Sequence, residues 1–261
     1  MSSSADRAAA QQRSGADLAK DDCLTARIGR NSVAQNLDQA VAKGALERND
    51  KDSYTLPADD RSRDRTARNP VPWPYPCRKL LFLFDNVYER RQVPSTCRSC
   101  YKVKVAPRKV SQLVRIFDAT VGKPYPSKFQ PDMDAHYTSD VYGAYFYADG
   151  LEQARAIHRD ISATLIEDSA LDGVPITIKR GCTEYEMHCG PSDQYSFPDG
   201  LPAIEEKLLE MIDMPAGTSK HSSRNLIILM WVRQAFRIGD DSYLELTGGR
   251  RLFPETVKYA P

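Results

Sequence analysis

Residues 97–105 read CRSCYKVKV, a stretch that joins a pair of cysteines to a strand pattern. Two cysteines separated by two residues place both thiolates on one tight turn, where they can reach a single tetrahedral metal ion. After Cys100, apolar or aromatic residues alternate with Lys102 and Lys104. This period of two predicts a strand that buries one face and turns its lysines to the other.

The cysteines predict a metal site, although only one CxxC pair is present. The predicted ligands are Cys77, Cys97, Cys100 and Cys182. A two-stranded hairpin over residues 80–88 would bring Cys77 to the pair, and Cys189 or His188 could replace the fourth ligand. One zinc ion per chain is expected, and an iron–sulfur cluster is the alternative because it also takes four cysteines. Buried thiols without a metal are the competing interpretation.

Charge is distributed unevenly along a chain whose net charge is only +1. Residues 71–130 contain 12 lysines and arginines against 3 acidic residues, a balance of +9. Residues 131–261 contain 12 against 21, a balance of −9, and residues 1–70 contribute +1 from 12 against 11. The basic segment predicts a face that binds a polyanion or a face that docks on the acidic part.

Basic side chains of this segment are the candidates for contact with phosphates. They are Arg78, Lys79, Arg90, Arg91, Lys102, Lys104, Arg108, Lys109 and Arg115. Phosphate contacts of this kind dominate the affinity for nucleic acid and weaken as salt rises. A solvated or paired surface is the competing interpretation, and the pattern does not separate DNA from RNA.

The segments predict an α+β protein in three parts. Residues 1–70 are expected to form a mostly disordered tail with one amphipathic helix at about 32–48, capped by Ser32. That helix would act as an intramolecular clamp or dock on another protein subunit. Residues 71–130 form the basic module, which the metal staples to an acidic α/β domain at 131–261. A ferredoxin-like sandwich is one version of that domain.

Apolar spacing predicts the elements of the basic and acidic parts. The expected strands lie at 80–84, 101–105, 142–147, around 174–178 and at 242–246, and the expected helices at 110–117, 151–167 and 203–212. The apolar run 226–232 fits a buried helix or a buried strand, because period does not separate them at this length. Tyr145 and Tyr147 share one face of their strand, and core packing is preferred to base stacking because no matching aromatic pattern accompanies them.

An enzyme is the alternative function, with its site at Cys182–His188. Cys182 follows a predicted strand, where sites gather in α/β sheets, and a histidine base is close in sequence. Glu184 and Glu186 would share a face if the segment were extended. The chain contains no phosphate-binding loop, dinucleotide fingerprint or zinc-protease motif, so the sequence favours a role without catalysis.

The hypothesis that the sequence favours is a zinc-stabilised nucleic-acid-binding or assembly subunit of a larger nucleoprotein complex. A protein–protein adaptor that binds no nucleic acid is the third hypothesis. The longest apolar run has seven residues, far short of a membrane span, and the N terminus lacks a secretory or mitochondrial pattern. A cytoplasmic location without a membrane partner is therefore expected.

Overall fold

The computed structural model describes residues 18–49, 53–58, 66–73, 75–88, 92–133, 138–215, 223–254, 257 and 259. The chain divides into two compact units. Unit 1 comprises residues 1–58, 75–98 and 184–218, and unit 2 comprises residues 59–74, 99–183 and 219–261. These limits differ from the expected boundaries at 70 and 130, because only residues 75–98 of the basic segment belong to unit 1 and the rest belongs to unit 2. Its first part packs as helix in one core, and its second part begins with a strand of the other unit's sheet.

Helices and strands are mixed along the described chain, as expected for the α+β class. The helices are α1 Lys20–Thr25, α2 Val33–Ala42, α3 Cys77–Phe82, α4 Val110–Thr120, α5 Leu151–Leu165, α6 Thr183–Cys189, α7 Leu201–Met211, α8 Arg224–Ile238 and α9 Tyr243–Leu246. The strands are β1 Arg27–Ile28, β2 Asn31–Ser32, β3 Glu47–Arg48, β4 Tyr54–Thr55, β5 Ala67–Arg68, β6 Cys100–Val105, β7 Ser127–Pro131, β8 Tyr142–Asp149, β9 Ile176–Arg180 and β10 Ile212–Asp213.

Unit 2 is built on a sheet with the strand order β5-β7-β8-β6-β9, in which every neighbouring pair is antiparallel. From β6 to β9 the chain runs strand, helix, strand, strand, helix, strand, with α4 and α5 as the two helices. Because β6 lies between β8 and β9, the two strand–helix–strand crossovers interleave. The predicted strands and helices of this region are present, with bounds shifted by a few residues.

The core of unit 2 lies on one side of this sheet, under α4, α5 and α8. Val103, Phe129 and Phe146 are fully buried there. The ring centroids of Phe117 and Trp231 are 5.7 Å apart in an edge-to-face arrangement, which adds to the hydrophobic contribution. The other side of the sheet therefore belongs to the alternate residues of each strand.

Two of the expected strands are helical. Residues 80–84 lie in α3 and in a π-helical turn, Leu83–Val87, so the described residues 77–88 do not form the hairpin expected to bring Cys77 to the cysteine pair. Ser242–Leu246 also lacks strand structure, since α9 occupies its last four residues. Residues 80–84 are all apolar, and a buried segment of that length satisfies either structure. Residues 242–246 include Ser242 and Glu245, and five residues of mixed character are too few to establish a period. The apolar run 226–232, for which the sequence allowed a helix or a strand, lies within α8.

The core of unit 1 includes the N-terminal helices. Ser32 caps α2 as expected: its hydroxyl oxygen accepts a hydrogen bond from the backbone N–H of Gln35, and the backbone N–H of Ser32 donates to the side-chain oxygen of Gln35. The apolar face of α2 is buried in the core of unit 1. This packing corresponds to an intramolecular clamp, one of the two roles expected for this helix. Disorder was expected up to the helix, but the described residues 18–30 contain α1, where Cys23 is fully buried. Residues 1–17 lie outside the described residues.

Candidate nucleic-acid interface

The side of the unit 2 sheet opposite its core carries basic and aromatic side chains, and we term it the basic sheet face. Its members come from all five strands, β5 to β9. They are Arg68, Lys102, Lys104, Lys128, Tyr145, Tyr147 and Lys179. The strand register aligns them in rows across the sheet, because residues directly opposite on neighbouring strands share a face.

The first row crosses four strands. Arg68 lies opposite Lys128, and Lys128 lies opposite Tyr145. Tyr145 in turn lies opposite Lys104. Opposite residues have Cβ atoms about 5 Å apart, and like charges at that distance destabilise a sheet. The juxtaposition of Arg68 and Lys128 therefore has an electrostatic cost.

The ring of Tyr145 is the centre of the basic sheet face. The ammonium groups of Lys102, Lys104 and Lys128 lie 5.6, 5.7 and 5.7 Å from its centroid. Each is within the range at which a cation is attracted to an aromatic ring. Burial raises the pKa of Tyr145, and the charge of Asp132 beside it adds to the effect. Tyr145 therefore stays a neutral phenol, and its ring attracts the three ammonium groups.

The Tyr145 hydroxyl donates a hydrogen bond to Asp132, and that bond passes over Gly143. A Cβ at Gly143 would lie 2.7 Å from the Tyr145 ring and hydroxyl and would collide with the Asp132 carboxylate. Asp132 is 3% exposed and also accepts from Gln130 Nε2 at 2.7 Å. Glycine is required at 143 because two side chains cross where its own would be.

Lys128 carries the most perturbed charge of this face. Burial lowers the pKa of Lys128 to about 8, and the positive charge of Arg68 adds to the effect. Lys102 acts in the same direction, whereas Asp132 opposes them. Since a lysine normally titrates near 10.4, its charged form is disfavoured here. A bound anion would favour it.

Lys104 is held by an acidic partner at the edge of the first row. Its ammonium lies 2.6 Å from the Asp140 carboxylate and 3.3 Å from the Thr138 hydroxyl. The hydrogen bond from Lys104 lowers the pKa of Asp140, and the charge of Arg108 contributes. Of the predicted phosphate contacts, Lys102 and Lys104 lie on the basic sheet face, and Arg108 lies close enough to Asp140 to act on its pKa.

Two other predicted contacts serve the interior of unit 1. The Arg78 guanidinium donates to the carbonyl of Pro57. The Lys79 ammonium donates to the carbonyl of Leu209 at 2.8 Å. Both side chains satisfy backbone oxygens, which is a structural use of a basic residue.

The remaining candidates are dispersed. The Arg115 guanidinium pairs with Asp168 at 3.2 Å. Lys109 is exposed at the residue before α4. Arg90 and Arg91 lie outside the described residues. The structure therefore groups only part of the predicted set.

An aromatic pair adjoins the cations. Trp73 stacks on Tyr147 with ring centroids 4.8 Å apart and ring planes inclined by 32°. Tyr147 lies opposite Lys102, which lies opposite Lys179, and these three residues form the second row. Both rings are half-buried. Aromatic and basic groups are thus combined on the same side of the sheet.

The preference for Tyr145 and Tyr147 as core residues was wrong. The core takes the alternate residues of β8, which are Ala144, Phe146 and Ala148, all fully buried. The β8 pattern is aromatic on both sides, so the sequence alone gave no reason to choose the smaller residues for the core. The helices that cover the sheet decide the matter.

Sequence reasoning missed Arg68, Lys128 and Lys179. Lys128 had a usable signal, since it alternates with Ser127 and Phe129, which are buried on one side of β7 while Lys128 is half-buried on the other. Arg68 lies in a two-residue strand, which is too short to show a period. Lys179 lies at the end of β9, beyond the limit expected for that strand.

The cysteine pair lies at the start of β6. Cys97 and Cys100 are each 5% exposed, and the Cys97 sulfur lies 3.6 Å from the Tyr185 hydroxyl. Cys77 and Cys182 are half-buried. Among the residues that the structure describes, no group of three or more histidine, cysteine or acidic residues is placed to hold a metal ion. The zinc site thus stays a prediction.

A buried carboxylate, Glu205, holds the start of the 3-10 helix Ser95–Ser99, which contains Cys97. It is 1% exposed and accepts hydrogen bonds from the backbone amides of Ser95 at 2.8 Å and Thr96 at 2.7 Å. The hydroxyls of Thr96 and Tyr88 also donate to it. Burial raises the pKa of Tyr88, and the Glu205 charge adds to the effect. Each carboxylate oxygen thus faces two donors.

The segment of the alternative enzyme site is helical. Residues 183–189 form α6, so Glu184 and Glu186 do not share the face expected of an extended chain. The His188 ring lies 5.9 Å from the ring of Phe84. The shared face was expected only for an extended segment, and a turn at Gly181 separates α6 from β9.

Within the described part of the chain, no helix combines the length and the apolar character needed to cross a bilayer. Comparisons with protein-family models, with curated proteins and with solved structures each found no match for the chain.

Proposed function

We propose that this protein binds nucleic acid through the basic sheet face, as a binding or assembly subunit of a nucleoprotein complex. The supporting observation is the row in which Arg68, Lys128 and Lys104 flank Tyr145. Like charges opposite one another cost stability, and burial of an ammonium group adds to that cost. A phosphate backbone would offset both, because it brings a regular series of anions to the cations.

We also propose that unit 2 is a ferredoxin-like sandwich. The order of strands and helices from β6 to β9 and the interleaved crossovers support this class. The core residues of α4, α5 and α8 lie with one side of the sheet, which leaves the other side for a ligand. By analogy, four-stranded sheets with aromatic residues on one face are a known surface for RNA. This analogy concerns architecture alone.

Salt-dependent binding of a fluorescently labelled oligonucleotide tests the proposal. The affinity of the wild type should fall steeply between roughly 50 and 200 mM salt, since phosphate contacts release counterions. Lys102→Glu should weaken binding by about tenfold or more, because it reverses a charge beside Tyr145. Lys43→Glu is the matched control, with the same charge change at an exposed site of unit 1.

Three results would contradict the proposal. The first is an absence of oligonucleotide binding at low salt by wild-type protein that is folded by circular dichroism. The second is an equal loss of affinity in Lys43→Glu and Lys102→Glu, which would indicate an effect of net charge without a defined surface. The third is a Lys102→Glu variant that keeps full affinity, which would exclude the basic sheet face.

The zinc ion predicted for Cys77, Cys97, Cys100 and Cys182 stays part of the proposal. Cys97 and Cys100 are both buried and lie three residues apart where the 3-10 helix Ser95–Ser99 meets β6, which supports it. Elemental analysis of anaerobically purified protein should find about one zinc per chain and no visible colour. Iron with a broad visible absorption would favour the iron–sulfur alternative, and a metal-free protein would contradict both.

A further inference from the structure

The indole of Trp73 is placed to contribute to the basic sheet face. Trp73 stacks on Tyr147 at 4.8 Å, and Tyr147 lies directly opposite Lys102. Trp73 belongs to a short proline-containing segment that follows β5, five residues after Arg68. Arg68 lies opposite Lys128 in the first row. One short segment thus contributes both a cation and an aromatic ring.

The rows differ in the chemistry that they offer. The first row is three cations around one phenol ring, which suits phosphate oxygens. The second row joins the Trp73–Tyr147 pair to Lys102 and Lys179, which suits a base beside its own phosphate. A duplex keeps its bases stacked inside and presents mainly phosphates and groove edges. An aromatic pair beside a row of cations suits a strand with unstacked bases.

We propose that the ligand is a single-stranded nucleic acid, one base of which stacks on Trp73 and adds a third layer to the Trp73–Tyr147 pair. This inference rests on the proposed function and names its substrate class. The phosphates on either side of that base lie along the cations of the two rows. Stacking is tolerant of sequence, because every base has an aromatic face. Binding therefore needs no particular base at this position.

The chain provides its own reporter for this contact. It contains two tryptophans, Trp73 and Trp231. Trp231 is fully buried in the core of unit 2, whereas Trp73 is half-buried. A base that stacks on Trp73 should quench its fluorescence, and Trp231 should supply a constant background. Titration with single-stranded oligo(dT) should therefore reduce the tryptophan emission in a saturable manner.

Variants at position 73 separate stacking from charge. Trp73→Leu should abolish the quenching and weaken oligo(dT) binding by roughly 5- to 100-fold, the usual effect of losing one base–aromatic stack. Its affinity for inorganic polyphosphate should not change, which also shows that the variant is folded. Trp73→Phe keeps an aromatic ring and should retain most of the oligo(dT) affinity. A duplex of the same length should bind more weakly than the single strand and without quenching.

The outcomes distinguish this inference from the function on which it rests. If duplex and single strand bind equally and Trp73→Leu keeps full affinity for both, the single-strand inference is overturned and the basic sheet face remains a phosphate-binding surface. If polyphosphate and duplex bind but oligo(dT) does not, the inference is overturned in the same way. If no polyanion binds, the proposed function itself fails. Saturable quenching that Trp73→Leu removes supports both.

Discussion

Glu205 in unit 1 and Lys128 in unit 2 are a buried and a half-buried charge in very different surroundings. Glu205 is 1% exposed, and the amides of Ser95 and Thr96 donate to its two oxygens. Lys128 lies opposite Arg68, and burial lowers the pKa of Lys128 to about 8. The chain satisfies the first charge with hydrogen bonds and sets the second beside a like charge. A charge satisfied by its own chain acts as a structural element, whereas one beside a like charge is of the kind that a bound anion would stabilise.

The largest expected change in the free energy of unfolding follows from substitution of Glu205. Glu205→Gln would turn an amide NH2 toward two donors, so we expect it to lower the free energy of unfolding by about 3 kcal/mol. Urea denaturation measures this change. Glu206→Gln is the matched control, because Glu206 is the exposed neighbour on the same helix and its change should have almost no effect. Equal free energies of unfolding for the two variants would show that the hydrogen bonds to Glu205 do not stabilise the fold.

Substitution of Gly143, which lies beneath the Tyr145–Asp132 hydrogen bond, should give the next largest change in the free energy of unfolding. Gly143→Ala places a methyl group where the side chains of Asp132 and Tyr145 cross. We expect a loss of about 2 kcal/mol in the free energy of unfolding, from overpacking and a broken buried hydrogen bond. Gly122→Ala is the control, since no atom lies within 4 Å of its added Cβ. A Gly143→Ala protein as stable as the Gly122→Ala protein would contradict this geometry.

The smallest expected effect has the opposite sign. A lysine whose pKa is lower in the folded state than in the unfolded state opposes folding while it is charged. The penalty from Lys128 is thus complete below pH 8 and disappears as pH rises toward about 10.5, where the unfolded chain also loses the proton. Lys128→Met should raise the free energy of unfolding by about 1–2 kcal/mol at pH 7 and by less at pH 10.

Chemical denaturation of Lys128→Met and wild type at both pH values measures that difference, with Lys43→Met as the exposed control. The same Lys128→Met variant should bind oligonucleotides more weakly. A variant that is more stable and binds more weakly would indicate that the charge of Lys128 is used for binding, whereas the charge of Glu205 stabilises the fold. If Lys128→Met were less stable than wild type at pH 7, Lys128 would be a satisfied charge like Glu205.

The parts of the fold that could be predicted from sequence are those whose pattern is complete within one element. The alternation in β6 correctly predicted a strand with Lys102 and Lys104 on its polar side. The spacing of Val110, Leu113 and Phe117 correctly predicted α4. The run 80–84 failed because five apolar residues fit the interior of a helix as well as a strand.

The candidate site was only partly predictable for a related reason. Lys102 and Lys104 could be assigned to a polar face because their own strand shows the period. Arg68 could not, because its strand has only two residues and shows no period. Lys179 was missed because β9 extends beyond the limit expected for it. The metal prediction is a different case, since no structural observation tests it and elemental analysis decides it.

The sequence by itself determined which side chains of β6 and of β7 point the same way, because side chains alternate with a period of two wherever a strand forms. Only the tertiary structure decided which strands lie side by side. Arg68, Lys128 and Lys179 come from distant parts of the chain and meet on one face with Tyr145 through the order β5-β7-β8-β6-β9. Strand pairing joins residues far apart in sequence, and a local pattern contains no information about its partner.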